Sequence, residues 1–301
     1  MNPAVPTPPF VDRAAHLRGV SDGSLARAVL VADGAVLTGP DGLVTLAPGA
    51  WDGAALVCFL GVADGIEYVA VASTADAQEG LGEDVAFEPL RALLGRLGED
   101  RVGQRDRDLA TTAVAMAHWH GSHARCPLCG GPMQVGPGGW HRRCATCERE
   151  HYPRTDPAII VAITDHEDRL LLAHAARWTE RRFSHLAGYV EPGESFEQAV
   201  RREVAEEIGL EVTDIAYVAS QPWPFPASVM VGFTARAASA VLTPDGEEIT
   251  EARWVSRDQL RAATSTGEIV VPPAGSIALR LLEDWLGEAP TRVAADSVSD
   301  T

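Results

Sequence analysis

GYVEPGESFEQAVRREVAEEIGL, residues 188–210, contains both ends of a helix and more negative charge than a helix needs. Ser195, followed three positions later by Gln198, is a capping box, so the spacing predicts a helix that begins at Phe196. Gly209 suits the left-handed C-terminal cap and ends it. Glu203, Glu206 and Glu207 stand at i, i+3 and i+4 and share one face. Three like charges destabilise an isolated helix unless cations answer them, and Arg201 and Arg202 answer only in part. Two readings are open for the residues by themselves. One is a solvated acidic face; the other is a cluster of hard oxygen ligands for Mg²⁺ or Mn²⁺.

Around this helix the pattern alternates strand and helix. AIIVAI (158–163), RLLLAHA (169–175) and SHLAGYV (184–190) read as strands, with further strands near 213–219 and 229–237. Ser256 and Gln259 form a second capping box, and residues 275–287 read as an amphipathic helix on Ile277, Leu279, Leu281, Leu282 and Trp285. In the N-terminal third, short apolar runs at Ala26–Val31, Ala54–Val62 and Tyr68–Ala72 alternate with Asp-Gly and Pro-Gly turns, as strands do. Helices are expected near Pro89–Leu97 and Leu109–Trp119. The proline-rich residues 1–12 are expected to be mobile, and the tail PTRVAADSVSDT to be disordered.

Four of the five cysteines fall in two CxxC pairs, Cys126/Cys129 and Cys144/Cys147. Thiolates at this spacing close a tetrahedral zinc site, and Gly136, Gly138 and Gly139 allow the spacer a tight hairpin. Two disulfides are the competing reading, which a reducing cytosol disfavours. Four thiolates leave no open position, so His120, His123 and His141 are not needed as ligands and one Zn²⁺ per chain is expected to be structural. Such a site supplies roughly 10–16 kcal/mol to hold a small module together. Cys58, in ALVCFLGV, reads as a buried strand residue.

The 301 residues suit two domains or one domain with modules, and a 46% apolar content supports a sizeable core. A net charge of −17, from 25 basic and 42 acidic residues, argues against non-specific binding to nucleic acid or to an anionic membrane. MNPAVPTPPF shows no cationic segment leading into an apolar one, and Gly53–Ala63 is too short to span a bilayer, so a cytoplasmic protein is expected.

Residues 188–210 also fit G-x(5)-E-x(7)-R-E-U-x-E-E-x-G-U at Gly188, Glu194, Arg202, Glu203, Val204, Glu206, Glu207, Gly209 and Leu210. This resembles the Nudix box, whose family hydrolyses nucleoside diphosphates linked to another group. The resemblance implies that Glu203, Glu206 and Glu207 hold divalent cations with the Ala187 carbonyl, while Glu194 and Arg202 form a structural ion pair. A distal carboxylate should complete the cluster. In GEEITEARW (246–254) Glu248 matches best, with Glu247 and Glu251 as competitors. A pyrophosphate repels its nucleophile, and divalent ions offset that charge. A carboxylate of the cluster can take the water's proton, with Glu207 first choice and Glu206 second.

SQPWPFPAS (220–228) adds a substrate. Three prolines stiffen the segment, and Trp223 and Phe225 offer flat faces for stacking. The stretch resembles the signature of the NADH pyrophosphatases, now also known as NAD-capped RNA hydrolases. That resemblance implies a dinucleotide pocket lined by Gln221, Pro222, Trp223, Pro224, Phe225, Pro226, Ala227 and Ser228. Tyr152, Tyr189 and Ala278 would join it, with Arg91 as a further contact. Gly139 stands where some members carry an acidic substrate contact. The plain alternative is a connection whose aromatics plug the core. Gln221→Ala is expected to disturb folding less than Trp223→Ala, since it removes little packing.

The expected fold is α/β: a β-rich, degenerate Nudix-like N-terminal domain (1–121), a zinc ribbon (122–152), a Nudix α/β/α sandwich (153–288) and a tail (289–301). The resemblance further implies a homodimer acting on NAD(H) and 5′ NAD-capped RNA. The rivals are hydrolysis of ADP-ribose or dinucleoside polyphosphates, and a non-catalytic zinc-ribbon binder of RNA or protein.

Overall fold

The computed structural model describes residues 10–20, 24–48, 57–73, 82 and 84–291. The expectations of mobility for 1–9, of disorder for 292–301 and of strand for 54–56 lie outside the described residues, whereas Val11 and Asp12, also expected to be mobile, are held: Val11 is buried and Asp12 exchanges two backbone hydrogen bonds with Val62. The chain divides into two compact units: Met1–Thr155 with Pro224–Ala227, and Asp156–Trp223 with Ser228–Thr301.

The first unit holds a mixed sheet built from β1 (Arg27–Ala32), β2 (Ala35–Gly39), β3 (Gly42–Leu43), β4 (Thr45–Leu46), β5 (Val57–Ala63), β6 (Ile66–Ala72) and β7 (Ala86–Pro89). Its order is β3-β2-β1-β6-β5, with β1 and β6 parallel. Side chains of β1 alternate across the sheet, as strand geometry requires. Val29 and Val31 pack with Leu90, Leu93 and Leu94 of α1 (Leu90–Arg96) and with Leu109 and Ala113 of α2 (Arg101–Ser122), while Ala28 and Leu30 face the other core. Helix α2 starts well before the expected Leu109, because Asp100 caps it by accepting from the Gly103 N–H at 2.7 Å. The polar run RVGQRDRD hides that start from an apolar-period reading. Cys58 is buried on β5, as expected.

The ribbon forms a small antiparallel sheet from β8 (Met133–Val135), β9 (Arg142–Cys144) and β10 (Glu150–His151). A tight turn at Pro137–Gly139 joins the first two. Gly139 has a φ of 77°, and a Cβ there would sit 2.6 Å from Cys58 Sγ. A bulky acidic side chain at this position therefore has no room.

The second unit is built from β11 (Asp156–Thr164), β12 (Leu170–Ala175), β13 (Leu186–Tyr189), α3 (Phe196–Ile208), β14 (Val212–Trp223), β15 (Ser228–Ala237), β16 (Ile249–Val255), α4 (Arg257–Thr266) and α5 (Ile277–Leu286). The strand order is β14-β15-β11-β12-β16, with β13 on β11 and with β11 parallel to β15. Along β11, Ile159, Val161 and Ile163 pack beneath Ala199, Val200, Val204 and Ile208 of α3. Ile160 and Ala162 face Leu260 of α4 and Leu279 and Leu282 of α5. Two cores on opposite faces of one sheet make an α/β/α sandwich.

The stretch 220–228 departs from a continuous extended rail. Residues 220–223 finish β14, with Pro222 opposite Val229, and only 224–227 form the turn. A proline is tolerated there because β14 is an edge strand with one hydrogen-bonded neighbour.

Candidate active site

Helix α3 has both predicted ends. Ser195 Oγ accepts from the Gln198 N–H, Gln198 Oε1 accepts from the Ser195 N–H, and Gly209 is left-handed at φ 67°. Its acidic face is not simply solvated. Glu206 is exposed, Glu203 half-buried, and Glu207 is buried at 6% exposure. Arg202 holds the face in order. Its guanidinium donates to Glu194 at 2.7 and 2.9 Å, to Glu203 at 2.9 Å, to Glu206 at 3.0 Å and to the Tyr189 carbonyl at 2.9 Å. Hydrogen bonds from Arg202 hold the Glu194 carboxyl down at about 2.

Glu207 is the odd member. Its Oε2 is buried and has no hydrogen-bond partner among the described residues. Burial, then the charges of Glu203, Glu248 and Asp245, push its carboxyl up to about 8. A buried carboxylate oxygen that has no donor and faces other carboxylates is costly unless a cation joins it. Burial also raises the Glu203 carboxyl. Gly188, on β13, lets Glu203 lie against the strand, since a Cβ at 188 would overlap the Glu203 carboxylate. Ala187, opposite Ile160, is exposed beside it. Hard carboxylate oxygens of this kind suit a divalent cation, although among the described residues only the four ribbon cysteines have ligand atoms gathered closely enough to hold one.

All three distal candidates are exposed, but Glu248 acts electrostatically on both Glu203 and Glu207. Glu251 is instead engaged by Arg253 at 2.5 Å. Asp245, which sequence reasoning missed, organises this loop. It accepts from the N–H groups of Glu247, Glu248 and Ile249, and its own N–H donates to the Glu207 carbonyl at 3.0 Å. The Asp-Gly pair at 245–246 was the available signal.

In the ribbon the four Sγ atoms lie within 4.8 Å of one another. The closest approaches, 3.5 Å for Cys129–Cys144 and 3.8 Å for Cys126–Cys147, are far longer than a disulfide bond. The N–H groups of Cys147 and Thr146 point at Cys144 Sγ at 3.4 Å, and together with other bonds they lower its thiol to about 6. Thiolates wrapped in N–H donors fit Zn²⁺. His151 Nε2 lies 3.5 Å from Cys126 Sγ, another contact the spacing did not reveal.

The expected dinucleotide contacts divide between the two units. In the first, Tyr152 is exposed with its ring 5.9 Å from that of His141, and Arg91 lies over the Phe225 ring at 4.8 Å. The buried Pro224 accepts through its carbonyl from His118 Nδ1 at 3.2 Å, while Pro226 is exposed and Ala227 half-buried. In the second, the Tyr189 hydroxyl is 3.0 Å from Ser228 Oγ, and Pro222 is exposed beside the half-buried Trp223. Gln221 is more committed than expected: Nε2 donates to the Gly275 carbonyl at 2.6 Å, and Oε1 accepts from the Ile277 N–H at 2.7 Å. Its truncation therefore removes two hydrogen bonds at the start of α5, so Gln221→Ala is not a gentle probe. The Ala278 carbonyl accepts from His185, which burial holds neutral by lowering it to about 4.

Comparison with known proteins matches residues 154–271 to the NUDIX domain, 122–152 to the NADH pyrophosphatase zinc ribbon domain, and 25–119 to the NADH pyrophosphatase-like rudimentary NUDIX domain. A protein of Mycobacterium bovis (strain BCG / Pasteur 1173P2) named NAD-capped RNA hydrolase NudC is 43% identical over 206 residues, 64% of this chain and 63% of its own. A protein of the same name from Edwardsiella ictaluri is 43% identical over 176 residues, 58% of this chain and 65% of its own. The chain thus spans less than two thirds of the length of these relatives.

Proposed function

Because the chain belongs to the Nudix family, we propose that it hydrolyses the pyrophosphate bond of NAD(H) to nicotinamide mononucleotide and AMP. The same reaction on RNA would remove a 5′ NAD cap and leave a 5′-monophosphate. The observation that carries the chemistry is the buried Glu207 carboxyl, whose Oε2 has no hydrogen-bond partner among the described residues and which feels the charges of Glu203, Glu248 and Asp245. The substrate class rests on the stretch 220–228 and on the likeness to NAD-capped RNA hydrolases.

Mg²⁺ or Mn²⁺ held by Glu203, Glu206, Glu207, Glu248 and the Ala187 carbonyl would offset the diphosphate's charge and acidify the attacking water. Glu207 is the proposed acceptor of that water's proton, with Glu206 second. Arg202 keeps Glu203 and Glu206 oriented, and the Asp245 loop holds Glu248 close to Glu207. Tyr189, Trp223 and Phe225 are the proposed stacking faces; Gln221 and Ser228 are proposed to shape the pocket with Pro222, Pro224, Pro226 and Ala227. Tyr152, Ala278 and Arg91 complete the proposed contacts. The zinc is proposed to be structural, the assembly a homodimer, and the setting the reducing cytoplasm, which keeps ribbon thiols free.

Product analysis decides the reading. With Mn²⁺ or Mg²⁺, NADH should give nicotinamide mononucleotide and AMP, and NAD-capped RNA should give 5′-monophosphate RNA. Preferential turnover of ADP-ribose, with neither of these cleaved, would reject it.

A further inference from the structure

The acidic cluster is answered by two arginines that are used very differently. Arg202 has its donors engaged by Glu194, Glu203, Glu206 and the Tyr189 carbonyl. Arg177 lies on the connection after β12, and its charge acts on Glu207. Its backbone position is fixed on both sides. The Ala176 N–H donates to the Glu248 carbonyl at 2.9 Å, and the Trp178 N–H donates to the Ala175 carbonyl at 2.9 Å. Trp178 packs against the core under α3, with Arg182 5.4 Å above its ring. The turn is thereby anchored beside the loop that carries Glu248. Yet the Arg177 side chain is exposed, and among the described residues it makes no hydrogen bond or ion pair.

An arginine that merely balanced the carboxylates would be drawn into a bidentate pair, as Arg202 is. A guanidinium with no carboxylate partner among the described residues, on a turn anchored beside the Glu248 loop, matches phosphate oxygens instead. We propose that Arg177 binds the substrate's diphosphate directly, through non-bridging oxygens. This rests on the proposed hydrolase reading only so far as the substrate is a diphosphate; it does not depend on nicotinamide.

Arg177→Gln and Arg177→Lys test it, each assayed on NADH and on ADP-ribose, with Mn²⁺ binding measured calorimetrically without substrate. A charge-assisted contact predicts at least a roughly tenfold fall in kcat/KM for Arg177→Gln on both substrates. Lys should restore part of the loss, and Mn²⁺ affinity should stay the same or tighten. Unchanged kcat/KM on both would overturn the proposal. So would a loss matched by equally weakened Mn²⁺ binding, which would make Arg177 a positioning residue for the cluster. A loss on NADH alone would overturn it too, by placing Arg177 at the nicotinamide half. If the wild type cleaves ADP-ribose but not NADH, the substrate reading fails while the ADP-ribose data still decide Arg177.

Discussion

At the residue scale, Glu207 sets stability and chemistry against each other. Its carboxyl moves from the ordinary 4.5 to about 8 in the metal-free fold. Between those values the unfolded chain has released the proton while the folded chain retains it, so stability falls as pH rises through the window. Below 4.5 both states hold the proton and the effect vanishes. Glu207→Gln keeps size and helix geometry but removes the charge. In chelator-treated protein it should raise the melting temperature at pH 8 and change it little below pH 4.5, read by thermal melts across that range. Turnover should fall by at least roughly 10²-fold, and stabilisation by added Mn²⁺ should largely disappear. Near-normal turnover at saturating metal would remove Glu207 from the mechanism.

At the element scale, α3 shows what a sequence can encode locally. Both of its ends are written in side chains that meet their own backbone: Ser195 with Gln198, and Gly209 in the left-handed conformation. Ser195→Ala should lower stability by about 1 kcal/mol in chemical denaturation, without altering zinc content. Loss of less than a few tenths would mean that packing alone fixes the helix start. The spacing of Glu203, Glu206 and Glu207 was equally legible, because i, i+3 and i+4 define a helix face whatever surrounds it. Arg177 was not legible, since a turn brings it to the cluster and no periodicity marks it, and for Asp245 the Asp-Gly pair marked a turn without marking its place beside Glu207. The end of β14 was hidden for a related reason. Pro222 and Pro224 read as breakers, and only the strand order shows that Pro222 lies on an edge with no second neighbour to satisfy. Nor does a polar surface turn of α2 carry an apolar signal, so its start was recoverable only from the Asp100 cap.

At the scale of the whole molecule, the ribbon belongs to the first unit and owes its shape to few apolar contacts: Met133 packs mainly with Cys126, Cys144 and Cys147. So small a module depends on its metal. Elemental analysis of protein purified without chelator should give one zinc per chain. Cys126→Ser should cost soluble yield and thermal stability more than turnover per folded molecule. Absence of zinc from the wild type would overturn the ribbon assignment. Half-buried Phe225 packs against the core that contains Leu90, Leu93 and Trp119, although about seventy residues separate it from the rest of that unit. During synthesis from the N-terminus, the first unit therefore waits for residues 224–227 before its core is complete. By then β11 to β14 have already been synthesised. The last side chain to join that core is thus made only after the first part of the second unit.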